Sequence, residues 1–152
     1  MNGILQAFGW MVCALALTIL APAAASADQT DPRLPGLFEK LRDAETFAIA
    51  YAVEQKIWVI WHEPPDHLEV SMSMDRGLRA MRESNHEEAL AAFDDAVRLA
   101  PDFAEAWNKR ATINYLLGDY GASIADVQQT LLLEPRHFGA LSGLGLINLA
   151  LG

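Results

Sequence analysis

From Val70 onward, apolar positions recur at helical spacing. Leu90, Phe93 and Val97 form one stripe, and Ile124, Val127 and Leu131 form its counterpart 34 residues later. Residues three and four apart share a helix face, so each stripe predicts an amphipathic helix buried on one side. Pro101 and Pro135 stand at the same separation. Aligning on them gives two copies of one template, Val70–Phe103 and Ala104–His137. Both copies are small at template positions 8 (Gly77, Ala111), 20 (Ala89, Ser123) and 27 (Ala96, Thr130). Both are bulky at position 24 (Phe93, Val127) and have proline at position 32. A fixed period of this length predicts stacked helical hairpins, an all-α solenoid.

Punctuation agrees with periodicity. Gly118 suits a left-handed C-cap, and Asp119 beside it can cap the next helix. Asn85 with Glu88 three residues later has capping-box spacing. The prolines end the second helix of each pair, because proline lacks the amide and its ring clashes with the preceding turn. Upstream, Leu37–His62 reads as two helices outside the template. Leu37, Phe38 and Leu41 are apolar in the first, and Phe47, Tyr51, Ile57, Trp58 and Trp61 in the second, with the join near Asp43–Thr46. Residues 36–69 are therefore expected to form an atypical N-terminal cap hairpin and loop, closed by Glu63-Pro64-Pro65-Asp66.

The second copy adds Trp107 at position 4 and Gly118-Asp119-Tyr120 at positions 15 to 17. With these residues it resembles a tetratricopeptide repeat. The first copy departs from that pattern, with Ser73 for the tryptophan and Ser84-Asn85-His86 for the turn. Residues 138–152 begin a third copy, with Ala140, Leu141 and Gly145 at positions 3, 4 and 8. The resemblance implies a concave face lined by first helices, with ligand contacts at positions 2, 5, 9, 12 and 13. These are Ser71, Met74, Leu78, Met81 and Arg82 in the first copy, and Glu105, Asn108, Thr112, Tyr115 and Leu116 in the second. Ser142, Leu146 and Leu149 follow in the third. Of these, Met74, Leu78, Arg82, Glu105, Asn108, Thr112, Tyr115 and Ser142 are the candidate partner-binding groove. The lysine and asparagine of a carboxylate clamp are missing, since those positions hold Met74 and Leu78, or Asn108 and Thr112.

The ends of the chain differ from its middle. Residues 1–27 contain no Asp, Glu, Lys, Arg or His and finish in Ala25-Ser26-Ala27, a small-x-small pattern. They are expected to be a signal peptide cleaved before Asp28, with an uncleaved membrane anchor as the alternative. Residues 28–35 form a polar lead-in expected to be mobile. At the other end, 138–152 is apolar on nearly every side (Leu141, Leu144, Leu146, Ile147, Leu149, Leu151) and uncharged. It reads as the first helix of an incomplete third repeat. Truncation, self-association and docking of another protein are the three explanations weighed for it.

Composition narrows the chemistry. The formal net charge is −9, and no basic patch is evident, which argues against nucleic acid and anionic lipid as partners. The one cysteine, Cys13, lies in the signal segment, so disulfides and thiol chemistry are not expected of the mature chain. His62, Glu63, Asp66 and His67, with Met72 and Met74 added, could be imagined around a metal, but the first four sit on a Pro-Pro loop and form no ligand motif, and methionine on a helix is far more often core or groove filler. Neither a phosphate loop nor a serine elbow is found. The expectation is an exported, periplasmic, non-catalytic scaffold without cofactor that binds another protein or a peptide. The alternative is a structural subunit that oligomerises or docks through residues 138–152, with membrane contact only if the N-terminal segment is retained.

Overall fold

The computed structural model describes residues 28–152, and among them there are seven α-helices and no strand. They are α1 (Leu34–Arg42), α2 (Phe47–His62), α3 (Leu68–Arg82), α4 (His86–Leu99), α5 (Ala104–Leu116), α6 (Tyr120–Leu133) and α7 (Phe138–Leu151). The expected signal segment and Cys13 lie outside the described residues. From α3 onward each helix packs on the next, and α5 also meets α7, as stacked hairpins require.

Small residues set the hairpin crossings. Gly77 of α3 lies against Phe93 of α4 so closely that a Cβ there would stand 2.5 Å from the ring. The same crossing in the second hairpin uses Ala111 and Ser123, and the Ser123 hydroxyl donates to the Ala111 carbonyl at 2.8 Å. That bond satisfies a polar group buried between two helices. Asn85 and Asp119 cap α4 and α6 by accepting from the amides of Glu88 and Ala122 at 3.3 and 2.9 Å. The capping box is only half made, because Glu88 pairs with Arg76 instead. Gly118 sits at φ +80°, and its counterpart Ser84 takes a left-handed φ of 56° without glycine's freedom.

Glu87-Glu88 and Asp94-Asp95 recur seven apart on α4, a spacing that reads as a solvated convex stripe with Arg98 four residues after Asp94, and the structure cross-links it further. Arg98 pairs with Asp95, three residues earlier, and not with Asp94 as the i,i+4 spacing suggests. Asp94 instead meets Arg110 of α5, which also grips the buried Asp126 of α6 through two guanidinium nitrogens at 2.9 and 2.6 Å. Asn114 adds a third donor to Asp126 at 2.9 Å. One arginine thus ties α4, α5 and α6 across the repeat boundary. Its pKa is raised by the Asp126 hydrogen bonds, against a smaller opposing effect of burial.

The N-terminal pair has its own core of Leu34, Val53, Ile57, Ile60 and Trp61, joined to the repeats through Phe138 of α7. Phe47 and Tyr51 do not belong to it; they are exposed and stack on each other at 6.1 Å. The residues expected as a mobile lead-in make specific contacts. Leu34 is wholly buried, and the Gln29 side chain engages the Asp102 carbonyl and the Ala104 amide in the turn before α5.

We expect Gly77→Ala to destabilise the fold by about 1–3 kcal/mol, since Phe93 is fully buried and has nowhere to move. Phe93→Leu in the same chain should restore part of that loss. Thermal melts of the two single variants and the double variant measure the coupling.

Candidate functional site

The first helices of the hairpins, α3, α5 and α7, carry the predicted groove, and α2 lies over part of it. At its centre is Glu105, in the first turn of α5 and fully enclosed. Its Oε1 is 2.9 Å from Nε2 of His62 and 2.8 Å from Nζ of Lys109. Its Oε2 accepts from Nδ2 of Asn108 at 2.8 Å and faces Nε2 of His137 at 3.2 Å. Removing a carboxylate from water is expensive unless cations and donors surround it. Here four side chains from α2, α5 and the α6–α7 turn converge on one, at a helix N-terminus that itself favours negative charge.

The hydrogen bonds fix the protons on the two imidazoles. Nδ1 of His137 accepts the Ala140 amide at 3.2 Å, capping α7, so its proton sits on Nε2 and faces Glu105. Nδ1 of His62 lies 2.7 Å from the Trp58 carbonyl, which can only accept. With Nε2 2.9 Å from the carboxylate, both ring nitrogens face acceptors, an arrangement that favours the imidazolium form. Burial by itself would push the Glu105 carboxyl up. The His137 and His62 contacts and the charge of Lys109 outweigh it and hold the carboxyl well below the usual range. Glu105 raises the pKa of His62, against opposing contributions from burial and from Lys109.

Aromatic rings complete the seat. Trp61 stacks on His137, with centroids 4.3 Å apart and planes within 14°. Trp58 meets Phe138 edge-on at 4.7 Å and lies over Gly139, where a Cβ would come within 2.8 Å of the indole. The Arg136 guanidinium sits 4.0 Å above the Phe38 ring while bonding the buried Glu134 carboxylate. The indole N–H of Trp61 is buried and finds no acceptor among the described residues. Such an orphan donor costs about 1–3 kcal/mol.

The predicted groove residues therefore divide. Glu105 and Asn108 are buried in the seat, and Met74 is buried in the core of the first repeat, with Leu78 half-buried against it. Arg82 is exposed at the far end of α3. Thr112, Tyr115 and Ser142 stay at the surface or half-buried. Asn108, Thr112, Tyr115 and Leu146 share a cleft of about 60 Å³ between α5 and α7. His62 is turned toward Glu105 and Met74 is buried in the first repeat, so the residues imagined around a metal are drawn to different places. Sequence reasoning missed His137, Lys109, Gly139 and Arg110. Of these only Lys109 carried a local signal, four residues after Glu105 on the same helix. The others act on partners distant in the chain.

Residues 74–132 match the family model described as tetratricopeptide repeat. The chain belongs to the tetratricopeptide-repeat family. It is 36% identical over 115 residues to a TPR repeat-containing protein of Rhizobium etli, covering 76% of this chain and 56% of that protein. It is also 34% identical over 72 residues to tetratricopeptide repeat protein 36 of Mus musculus, covering 47% of this chain and 39% of that one. The chain thus spans about half the length of these curated relatives, or less. A 115-residue match within 152 residues necessarily includes residues 38–115, so the bacterial likeness takes in α2, the first repeat and most of α5.

The sign of the pH dependence follows from the two shifts. The raised His62 contributes stability that is present below its ordinary pKa of about 6.5 and is lost as pH rises through the folded value. The lowered Glu105 contributes above its ordinary value of about 4.3 and loses it as pH falls through the folded one. Seating of α2 is therefore firmest between the two ordinary values, about pH 4.3 to about 6.5. By NMR, the His62 ring should titrate above about 6.5, and Glu105→Gln should move its midpoint down, since burial and Lys109 then act unopposed. An unchanged midpoint would mean that the contact does not form in solution.

Proposed function

We infer that this tetratricopeptide-repeat chain is a non-catalytic protein-interaction scaffold whose concave face takes a segment of another protein. The observation that carries the reading is that this face already accommodates a helix, α2, through a charge contact to Glu105 at template position 2 and aromatic contacts to His137 and Phe138. Beyond α2, the surface offers Thr112, Tyr115, Ser142 and Leu146, hydroxyls beside apolar carbons. That suits an extended or helical peptide held by shape and a few hydrogen bonds. The Thr112 hydroxyl already donates to the Asn108 carbonyl at 2.9 Å, which leaves its lone pairs free to accept from a ligand amide.

The uncharged N-terminal stretch ending in Ala25-Ser26-Ala27 supports export, and we place the working protein in the periplasm. The test combines both parts. The full chain is expressed with its natural N-terminus, the cells are fractionated, and the protein is captured from the periplasm. Thr112→Arg and Tyr115→Ala should each cut recovery of the bound protein at least about tenfold, roughly 1.4 kcal/mol. Glu87→Ala, on the convex side, should leave it unchanged. A partner that stays with both groove variants at full yield would refute the concave-face reading.

A second reading rests on α7, where Leu141, Leu146, Leu149 and Leu151 are exposed while Ala140 and Ile147 are buried. An apolar row of this extent favours association with another surface. Light scattering of the full chain should then give a mass above the monomer. Leu146→Glu with Leu149→Glu should bring it back to the monomer value.

A further inference from the structure

We propose that the α1–α2 hairpin is a displaceable internal ligand of the repeat face, and that its seat around Glu105 accepts, in trans, a helix whose last turn carries two aromatic rings followed by a cation. The inference rests on reading the concave face as a partner-binding surface, and it names the chemistry of the segment that fits one end of that surface.

Four observations carry it. First, the hairpin has a core of its own, separate from the repeat cores, and meets the rest of the chain mainly through α5, the α6–α7 turn and the start of α7. Second, the contacts α2 makes with the Glu105 seat come from its last turn: Trp58, Trp61 and His62. Among their partners are Glu105 and Gly139, both at template position 2, where the family resemblance places a ligand contact. Third, the seat is built on the repeats without the hairpin. Lys109 and Asn108 come from α5, His137 is fixed by its bond to the Ala140 amide, and the missing Cβ of Gly139 leaves the hollow that the Trp58 ring enters. Fourth, the fit is incomplete, since the Trp61 indole N–H is buried without an acceptor. A segment that satisfied that donor elsewhere would compete on favourable terms.

The chemistry of the incoming helix follows from the seat. The Glu105 carboxylate, countered by Lys109 and faced by His137, still draws a further cation from α2. A cation at a helix C-terminus is also favoured by that helix's own dipole. Histidine, lysine or arginine at the end of an amphipathic helix meets both requirements. Two aromatics at i and i+3, as in Trp58 and Trp61, cover His137 and Phe138 together.

A tethered hairpin presents itself at an effective concentration on the order of millimolar. A free peptide of the same sequence would therefore not displace it at micromolar concentration, and the seat has to be emptied first. The experiment uses full chains and a fluorescein-labelled peptide spanning residues 46–63. Two variants empty the seat from the hairpin side, His62→Glu by charge repulsion and Trp58→Ser by loss of the ring. Hydrogen exchange should show loss of protection over 47–62 and retained protection over 70–133. Both variants should bind the peptide at least about tenfold more tightly than the wild type. Gly139→Val, added to either variant, should abolish that binding by filling the hollow.

Several results would overturn the proposal: equal binding by wild type and emptied variants, no binding by either variant, or binding that survives Gly139→Val. Loss of protection over 70–133 would do the same, because the hairpin would then be part of the repeat core and not a ligand of it. The probe is the chain's own helix, so failure here leaves the Thr112 and Tyr115 test of an outside partner standing. If that test fails while this one succeeds, the seat takes a helix although the open end of the face does not.

Discussion

Glu105 is a carboxylate with no access to water, and a buried charge of that kind survives only where opposite charge and hydrogen-bond donors are brought to it. The surroundings of α5 can be read as the answer to that demand. Lys109 comes from the next turn of the same helix and Asn108 from beside it, while His137 and His62 arrive from later and earlier in the chain. Without the last two, one side of the carboxylate would face the rings of Trp58 and Trp61 with nothing to offset its charge. The position of the N-terminal hairpin is thus coupled to the protonation of one glutamate and one histidine.

That coupling changes what the N-terminal hairpin means. A terminal unit that only shielded the apolar flank of the first repeat would lie against α3. This hairpin reaches past it to α5 and the start of α7, and the segment just before α1 crosses to the turn before α5 through Gln29. The repeats are held to one another by a different device, Arg110 bridging Asp94 and Asp126, together with apolar crossings at Gly77, Ala111 and Ser123. Repeat stacking and hairpin seating therefore depend on separate interactions. One can loosen while the other holds, and this is the physical basis for treating the seat as a binding site.

The groove is correspondingly shorter than a bare stack of first helices would offer. Its end at template position 2 is filled by aromatic rings, and Met74 has turned into the core of its own repeat. What stays open lies toward Tyr115 and Ser142, bounded by the exposed leucines of α7. A partner that engages only this open end meets hydroxyls and aliphatic carbon. One that also displaces α2 meets the Glu105 carboxylate, the His137 and Phe138 rings and the hollow at Gly139. The two surfaces select for different chemistry.

The repeat fold was legible in the chain because its causes are local or periodic. A left-handed turn at Gly118, caps at Asp119 and Asn85, stripes such as Leu90, Phe93 and Val97, and prolines after α4 and α6 each act within a few residues. Together they specify helical hairpins wherever the rest of the chain goes. The same locality explains the misjudgements. Phe47 and Tyr51 have helical spacing but face solvent, and Asp94 bonds Arg110 although Arg98 stands at the favoured distance along the helix. Which apolar face is covered, and which cation reaches which anion, depends on neighbours brought from far along the chain. His62 and Glu105 are 43 residues apart and Trp61 and His137 are 76 apart, so no window of sequence contains either contact. The sequence alone determined the hairpins and their stacking. Only the tertiary structure decided that one of those hairpins folds back onto the face the others build, because that choice rests on long-range charge and ring contacts that leave no periodic trace.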